Sequence, residues 1–436
     1  MGMHHHQSDN LSAPSDAVIG RRAAMGAIGA AALALTSGSA LGQGSTQRKT
    51  RGRNAGMAPG EILTKHPFDK RDWTLTTQVQ LFGFKQQLDD FNTAAVTTNI
   101  RVDAVAAVMP LILGSAMHEG YPDKATMEFL IVNRVINDRF KRVPGYQGPT
   151  ELMVIDAQNI DSPRVSVRAT TQMTSHDTRI DENLARAVPW QSKNHAWGAT
   201  EAANLQPQLF VQSDSNEVRG LTKKWIDEGL KGDPRRTDPY TFAKFLAGRV
   251  VEHCQPTEQL LVSSSRGVGV NDPAVTFFSG FNIFGAIAMA VTGKGPPLDM
   301  ANLLCAVYRA AGIPARVVIA YDVQRSLELG SLVVRAWVDF CLFDEAANRA
   351  HWIPVDVVNQ RRFSSRAPKL TQMWQFFGHN EQFKFTCPVA YHWHPPTSVT
   401  NAGAPALWGW IPKPANPVAD QEFTMMAMET VKRGGE

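Results

Sequence analysis

Cysteine is sparse in this chain. Four residues, Cys254, Cys305, Cys341 and Cys387, are spread over 436 positions, and no two form a C-x-x-C pair. That spacing excludes a zinc-ribbon or thioredoxin-type motif and a disulfide-dense scaffold. Three of the four stand in apolar or aromatic surroundings, which favours buried free thiols. One disulfide stays open, because separation in sequence does not forbid it. A membrane-spanning run is lacking: the apolar stretch Ala23–Leu35 is too short and too rich in Ala and Gly to cross a bilayer. Charge of one sign is lacking too. The net charge is +4, with much of the basic excess before residue 71, so no nucleic-acid partner is expected. Ser263–Gly269 has the look of a phosphate cradle but no Gly-Lys-Ser/Thr ending, and reads as a plain loop.

What is present suits a globular protein. Hydrophobic residues make up 43% and charged residues 19%, enough for a sizeable core. Residues 1–42 read as an address. Arg21-Arg22 precede the weakly hydrophobic Ala23–Leu35 run, and Ala40-Leu41-Gly42 offers small residues for cleavage. The paired arginines resemble a bacterial twin-arginine export signal. Residues 43–69 read as a disordered linker. His4-His5-His6 is taken as part of a disordered tail.

Residues 70–204 alternate apolar and polar side chains in short runs, at Trp73–Phe82, Thr126–Val132, Glu151–Ile155 and Arg164–Ala169, with Gly/Pro turns between them. The pattern predicts a β-rich N-terminal domain of antiparallel, sandwich-like form. Residues 205–256 turn helical. Ser213-Asp-Ser215 with Glu217 makes a capping box, and Thr237-Asp-Pro239 starts a second helix.

The densest signal follows. Pro296-Pro297 fits only ahead of a helix or in its first turn. Asp299 is an anion placed where the helix dipole favours it. Ala301, Leu304, Cys305 and Tyr308 recur at helical steps. Gly312 and Pro314 end the helix, and Arg316–Tyr321 reads as a buried strand. Leu332–Phe343 and His351–Val358 read as two more strands.

Helix, Gly312-Ile-Pro-Ala-Arg316, Arg335-Ala-Trp-Val-Asp-Phe340 and Trp352-Ile-Pro-Val-Asp356, in that order, resemble the transglutaminase-like core of the papain-like cysteine enzymes. The resemblance spans roughly 206–358. It implies an α+β chain: the sandwich-like N-terminal domain, then a papain-like core at 205–360 with helices packed on an antiparallel sheet, then a C-terminal extension, 361–436, packing on that core. The family's triad positions carry over as Pro297, Arg335 and Asp356. Pro has no nucleophile and Arg is never deprotonated at neutral pH, so no intact catalytic set is expected.

The function expected is therefore an exported, catalytically inactive module, periplasmic or extracellular, that binds or scaffolds a peptide or envelope component. Its membrane contact is limited to the export signal, and no cofactor or metal is called for. Asp299, Arg335, Trp337 and Asp356 are the candidate binding residues. The free N–H groups of the helix start near Asp299, together with Arg335, suit an anion, unless Asp299 itself fills that place. Arg335 and Asp356 are expected as a structural ion pair; the competing arrangement has Asp356 capping a loop and Arg335 facing solvent. The alternative function is an active transamidase or cysteine protease using a non-standard nucleophile, for instance Cys305. His195-Ala-Trp197 mimics a catalytic motif but precedes the helix, and reads as a loop histidine. Cys387 with His392 and His394 has ligand types, yet strand alternation puts the histidines on one face and the cysteine off it. Trp374, Phe376 and Phe377 read as packing, and Glu422–Arg433 as a short helix.

Overall fold

Alternation along Trp73–Phe82 puts Trp73, Leu75, Val79 and Leu81 on one face of a strand, and all four are buried. In the computed structural model, which describes residues 61–83, 85–86, 96–144, 150–192, 194–258, 261–263, 278–391, 407–414 and 420–430, that strand runs from Leu63 to Phe82. It begins inside the segment expected as linker at 43–69. The export signal at 1–42, residues 264–269 and both His392 and His394 lie outside the described residues.

Leu63–Phe82 pairs on one side with Arg164–Ile180 and on the other with Asp420–Glu429, both antiparallel. Thr126–Ile131, Arg134–Asn137 and His118–Gly120 extend the sheet past Arg164–Ile180. Phe278–Phe281 and Leu261–Ser263 extend it past Asp420–Glu429. A second antiparallel sheet has the order Gly409–Lys413, Ile100–Ile112, Thr150–Ser162, Phe140–Val143. The rings of Phe129 and Trp410, one from each sheet, stack at 5.9 Å. The expected sandwich-like arrangement is thus present, built partly from residues far along the chain.

Two expectations for the chain's far end are corrected here. Glu422–Arg433 was expected as a helix, but Asp420–Glu429 is a strand, with Phe423 and Met425 turned inward. Paired neighbours on both sides override a weak local helix preference. The extension 361–436 was expected to pack on the core. Its first part does: Thr386–Ala390 joins the core sheet, Phe377 bridges Val355, and the Phe377 ring packs on Tyr240 and Phe340. Its last part does not, since Gly409–Lys413 and Asp420–Glu429 complete the two N-terminal sheets.

The core sheet runs Arg349–Val355, Val334–Asp344, Ala315–Asp322, Thr386–Ala390, all antiparallel. Helices Asn216–Leu230, Pro239–His253, Ala286–Thr292 and Pro297–Ala310 pack with it. Their starts follow the capping chemistry of the sequence. Ser215 accepts from Val218 N at 3.2 Å, and Asp238 accepts from Thr241 N at 2.7 Å, with Pro239 in the first turn. Pro297–Ala310 was expected to bury one face. Every residue from Leu298 to Arg309 is buried, because helices cover the side away from the sheet, and a helix apolar nearly all round belongs in an interior. Gly312, at φ +80, turns the chain out of it. Arg309 ties that turn, donating to Ala315 O at 2.8 Å and to Gln206 O at 2.5 Å.

The last core strand also ends early. His351–Val358 was read as extended, but the strand stops at Val355, and Asp356 is the N-cap of helix Val357–Phe363. One apolar cluster runs through both the β-rich half and the core, and residues Gly56–Glu436 form one compact unit. A smaller cluster joins Ile112 and Met117 to Val318, Trp337, Phe383 and Tyr391.

Candidate functional site

Pro297 opens the central helix with Pro296 as its N-cap, and no side chain caps that end. Arg335 and Asp356 sit on adjacent strands' ends, and their side chains meet. Arg335 Nε donates to Asp356 Oδ2 at 2.8 Å, and Nη2 donates to the same oxygen. Arg335 is 8% exposed and Asp356 0%, so the pair is buried. The competing arrangement, a loop cap with Arg335 in solvent, is not found: Asp356 Oδ1 caps the next helix, accepting from Asn359 N at 3.0 Å, while Oδ2 meets the guanidinium. A second carboxylate, Asp322, lies 3.7 Å from Arg335 Nη1 and caps helix Val323–Leu329 through Arg325 N at 3.0 Å. Burial pushes the Asp322 carboxyl up, and Arg335 opposes that shift.

The other expected binding residues are engaged inside the protein. Asp299 Oδ1 accepts from Gly285 N at 2.8 Å and Oδ2 from Phe284 N at 2.9 Å, which caps the neighbouring helix Ala286–Thr292 rather than its own. Its carboxyl is raised by burial against those hydrogen bonds. The carboxylate does not fill the anion place at the start of its own helix, a placement the sequence allowed; it serves the segment that leads into the neighbouring one. Trp337 is 0% exposed, its indole N–H donating to Asp339 Oδ1 at 3.1 Å. Cys305 is fully buried in the middle of the central helix, and burial raises its thiol. A thiolate nucleophile needs an accessible, electropositive place. All four cysteines are free and buried. Among the described residues no group of three or more His, Cys, Asp or Glu side chains gathers as a metal site. His195 lies in a loop against Trp197 and Phe343, with Nδ1 3.2 Å from Glu345 Oε1.

A different place is open. A cavity of about 1030 Å³ lies where the turn 113–120 of the β-rich half meets the start of the core sheet. Ser115, His118, Glu201, Arg316, His351 and Trp352 are among its lining residues. Arg316 is fixed on three sides. Nε and Nη2 donate to Asp339 Oδ2 at 3.2 and 3.1 Å across the paired strands. Its guanidinium carbon lies 4.4 Å from the Trp352 ring centre and 4.2 Å from that of Tyr391. Tyr391 Oη in turn donates to Gly114 O at 2.9 Å, tying the turn to the core. Ser115 Oγ is 2.5 Å from His118 Nδ1 and accepts from Met117 N at 3.1 Å. Sequence reasoning missed this set because its members come from distant parts of the chain. The one local signal was the cross-strand match of Arg316 with Asp339.

Residues 282–357 match the family model of the transglutaminase-like superfamily. The transglutaminase-like segment holds Pro297, Arg335 and Asp356 together, along with the central helix and three of the four core strands. The helix-and-sheet core has the papain-like fold, and the antiparallel sheets and helices of the described residues put them in the α+β class. No curated protein matches the chain. Among solved structures, a candidate cysteine protease from Cytophaga hutchinsonii is 11% identical, with 86% of this chain and 95% of that one aligned at a TM-score of 0.45. A candidate protease from Parabacteroides distasonis is 12% identical, covering 57% of this chain and 42% of that one at a TM-score of 0.18.

Proposed function

We propose that this protein is an exported binding module whose transglutaminase-like core does not carry out acyl transfer, and that its ligand is a peptide or an envelope component. The observation that carries this reading is Pro297. It stands where the family places its nucleophile, and a pyrrolidine ring offers neither a thiol nor a hydroxyl. Arg335 supports it. At the family's histidine position a guanidinium takes up the carboxylate that would orient a base, and it cannot accept a proton at neutral pH. The buried, raised thiol of Cys305 gives the alternative nucleophile no support.

The test is an assay of amine incorporation and peptide hydrolysis by the purified protein. Rates at the level of buffer are expected. Turnover by the wild-type chain overturns the reading, and its loss in Cys305→Ala would assign the alternative nucleophile. Export is tested separately by fractionating cells that carry Arg21→Lys with Arg22→Lys. Retention of that variant in the cytoplasm is expected, and unchanged delivery counts against the signal.

A further inference from the structure

Two polar atoms at the large cavity have no partner among the described residues. Arg316 is 2% exposed and His118 1%, both line the cavity, and neither Arg316 Nη1 nor His118 Nε2 has a hydrogen-bond partner among the described residues. Buried polar atoms left unpaired are uncommon, and each calls for a partner that those residues do not supply. The two atoms belong to side chains that cannot turn away. Asp339, Trp352 and Tyr391 hold the guanidinium in plane, and Ser115 holds the imidazole through Nδ1. Ser115 Oγ also lies 2.9 Å from Met117 Sδ; in the tautomer in which Nδ1 accepts from the hydroxyl, the ring carries its proton on Nε2 and presents a neutral donor.

We propose that this cavity binds the carboxylate of an organic ligand, with Arg316 Nη1 and His118 Nε2 as its donors. A carboxylate accepts from an arginine edge and one further N–H in a single plane. The rest of the lining suits an organic body attached to it: Leu63, Leu113, Ala116 and the Trp352 ring give apolar contact, and the volume, about 1030 Å³, fits a ligand of peptide size. Glu61, Glu119 and Glu201 also line the cavity. Lys65, Arg316 and Arg349 balance them in the same lining, so the wall carries no large positive excess for a multiply charged anion such as phosphate, and a monoanion is preferred. Burial together with the nearby Lys65 and Arg316 charges keeps His118 neutral, so its donor does not depend on protonation. The site is separate from the Pro297, Arg335 and Asp356 positions, so it stands whether or not the core turns over a substrate.

The experiment uses the full chain and two readouts, calorimetric titration and the imidazole signals of nitrogen-labelled histidine. The probes are N-acetyl-Ala-Ala, its C-terminal amide, glucuronate and inorganic phosphate. Expected is saturable binding of at least one of the two carboxylates with a shift of the His118 Nε2 resonance. The amide, if N-acetyl-Ala-Ala binds, and phosphate should bind at least about tenfold more weakly. Which carboxylate binds separates a peptide terminus from a sugar acid. His118→Phe should weaken binding about tenfold or more while the protein stays folded. Arg316→Lys should do the same, and if it fails to fold, His118→Phe and Ser115→Ala carry the test. Absence of any carboxylate binding at tens of millimolar overturns the proposal. So does equal affinity for acid and amide, or undiminished binding in folded His118→Phe.

Discussion

Arg335 holds two carboxylates at once, and each of them caps a helix. Replacing it therefore unpairs Asp356 and Asp322 together. Asp356→Ala removes a buried partner from the guanidinium and a cap from helix Val357–Phe363, and should cost about 3–5 kcal/mol in urea unfolding. A double-mutant cycle with Arg335→Ala should show a coupling energy above about 1 kcal/mol; a value near zero would mean the pair does not act as one. The pair was legible in the sequence, because the motif spacing puts both residues at ends of neighbouring strands. The second carboxylate was not, since nothing in the order of residues near Asp322 marks its approach to Arg335. His118 sets a pH dependence. Its folded pKa lies below the ordinary 6.5, chiefly through burial, so the unfolded chain binds the proton more readily. The stability tied to its neutral form is complete above about pH 6.5 and is lost as pH falls through the window below, by at most ~1.4 kcal/mol per pH unit. His351 and His379 shift in the same direction. Melting temperature should fall from pH 7 to pH 5, and His118→Gln should flatten that slope; an unchanged slope in the variant would show that His118 is not the group. Asp299, Asp322 and Asp339, all raised by burial, act with the opposite sign at lower pH.

Helix Ala286–Thr292 is short, starts at a glycine with φ +90, and has no cap of its own. Asp299, from the following helix, supplies that cap. Asp299→Ala leaves the N–H groups of Phe284 and Gly285 without their acceptor; the buried Gly285 donor alone should cost roughly 1–3 kcal/mol, and the half-exposed Phe284 donor less. Asp299→Asn, which keeps one acceptor oxygen, should fall between variant and wild type; equal loss in both would point to the charge rather than the cap. The sequence placed Asp299 at a helix start but could not say which helix it serves, because that depends on how two helices lie against each other. Helix starts were readable wherever a Ser or Asp precedes the first turn, as at Ser215 and Asp238. Strand ends were readable less well. Asp356 falls inside the apolar run His351–Val358 that reads as a strand, yet an aspartate ahead of Val357 begins a helix. Ile100–Ile112 escaped as a strand, since its run of Val and Ala alternates weakly and contains Pro110. It is held by partners on both sides, Thr150–Ser162 and Gly409–Lys413, which a local pattern does not contain.

At the scale of the whole molecule, the central strand of the larger sheet, Leu63–Phe82, has two neighbours distant in sequence, Arg164–Ile180 and the still more remote Asp420–Glu429. Cutting the chain after Tyr391 removes Gly409–Lys413 from one sheet and Asp420–Glu429 from the other. Such a truncation should give insoluble protein, or soluble protein without near-ultraviolet circular dichroism, because a long apolar edge strand is left open. A folded truncation with native melting behaviour would mean that the remote strands are accessory. The strands of the first half and the helices at Asn216–Leu230 and Pro239–His253 were legible from texture, but the return of the chain to its first sheet was not, since pairing at long range leaves no local mark. The ion pair of Arg71 with Glu429, at 2.6 Å, joins residues 358 positions apart. Considered as a product of synthesis, this protein receives one side of that pairing early and the other hundreds of residues later. Throughout elongation the emerging first sheet has an unfilled edge, and a stop anywhere before Asp420 leaves it unfilled for good. The edge that proteases and neighbouring chains would otherwise find is therefore hidden only once Asp420–Glu429 has been made and has paired with Leu63–Phe82.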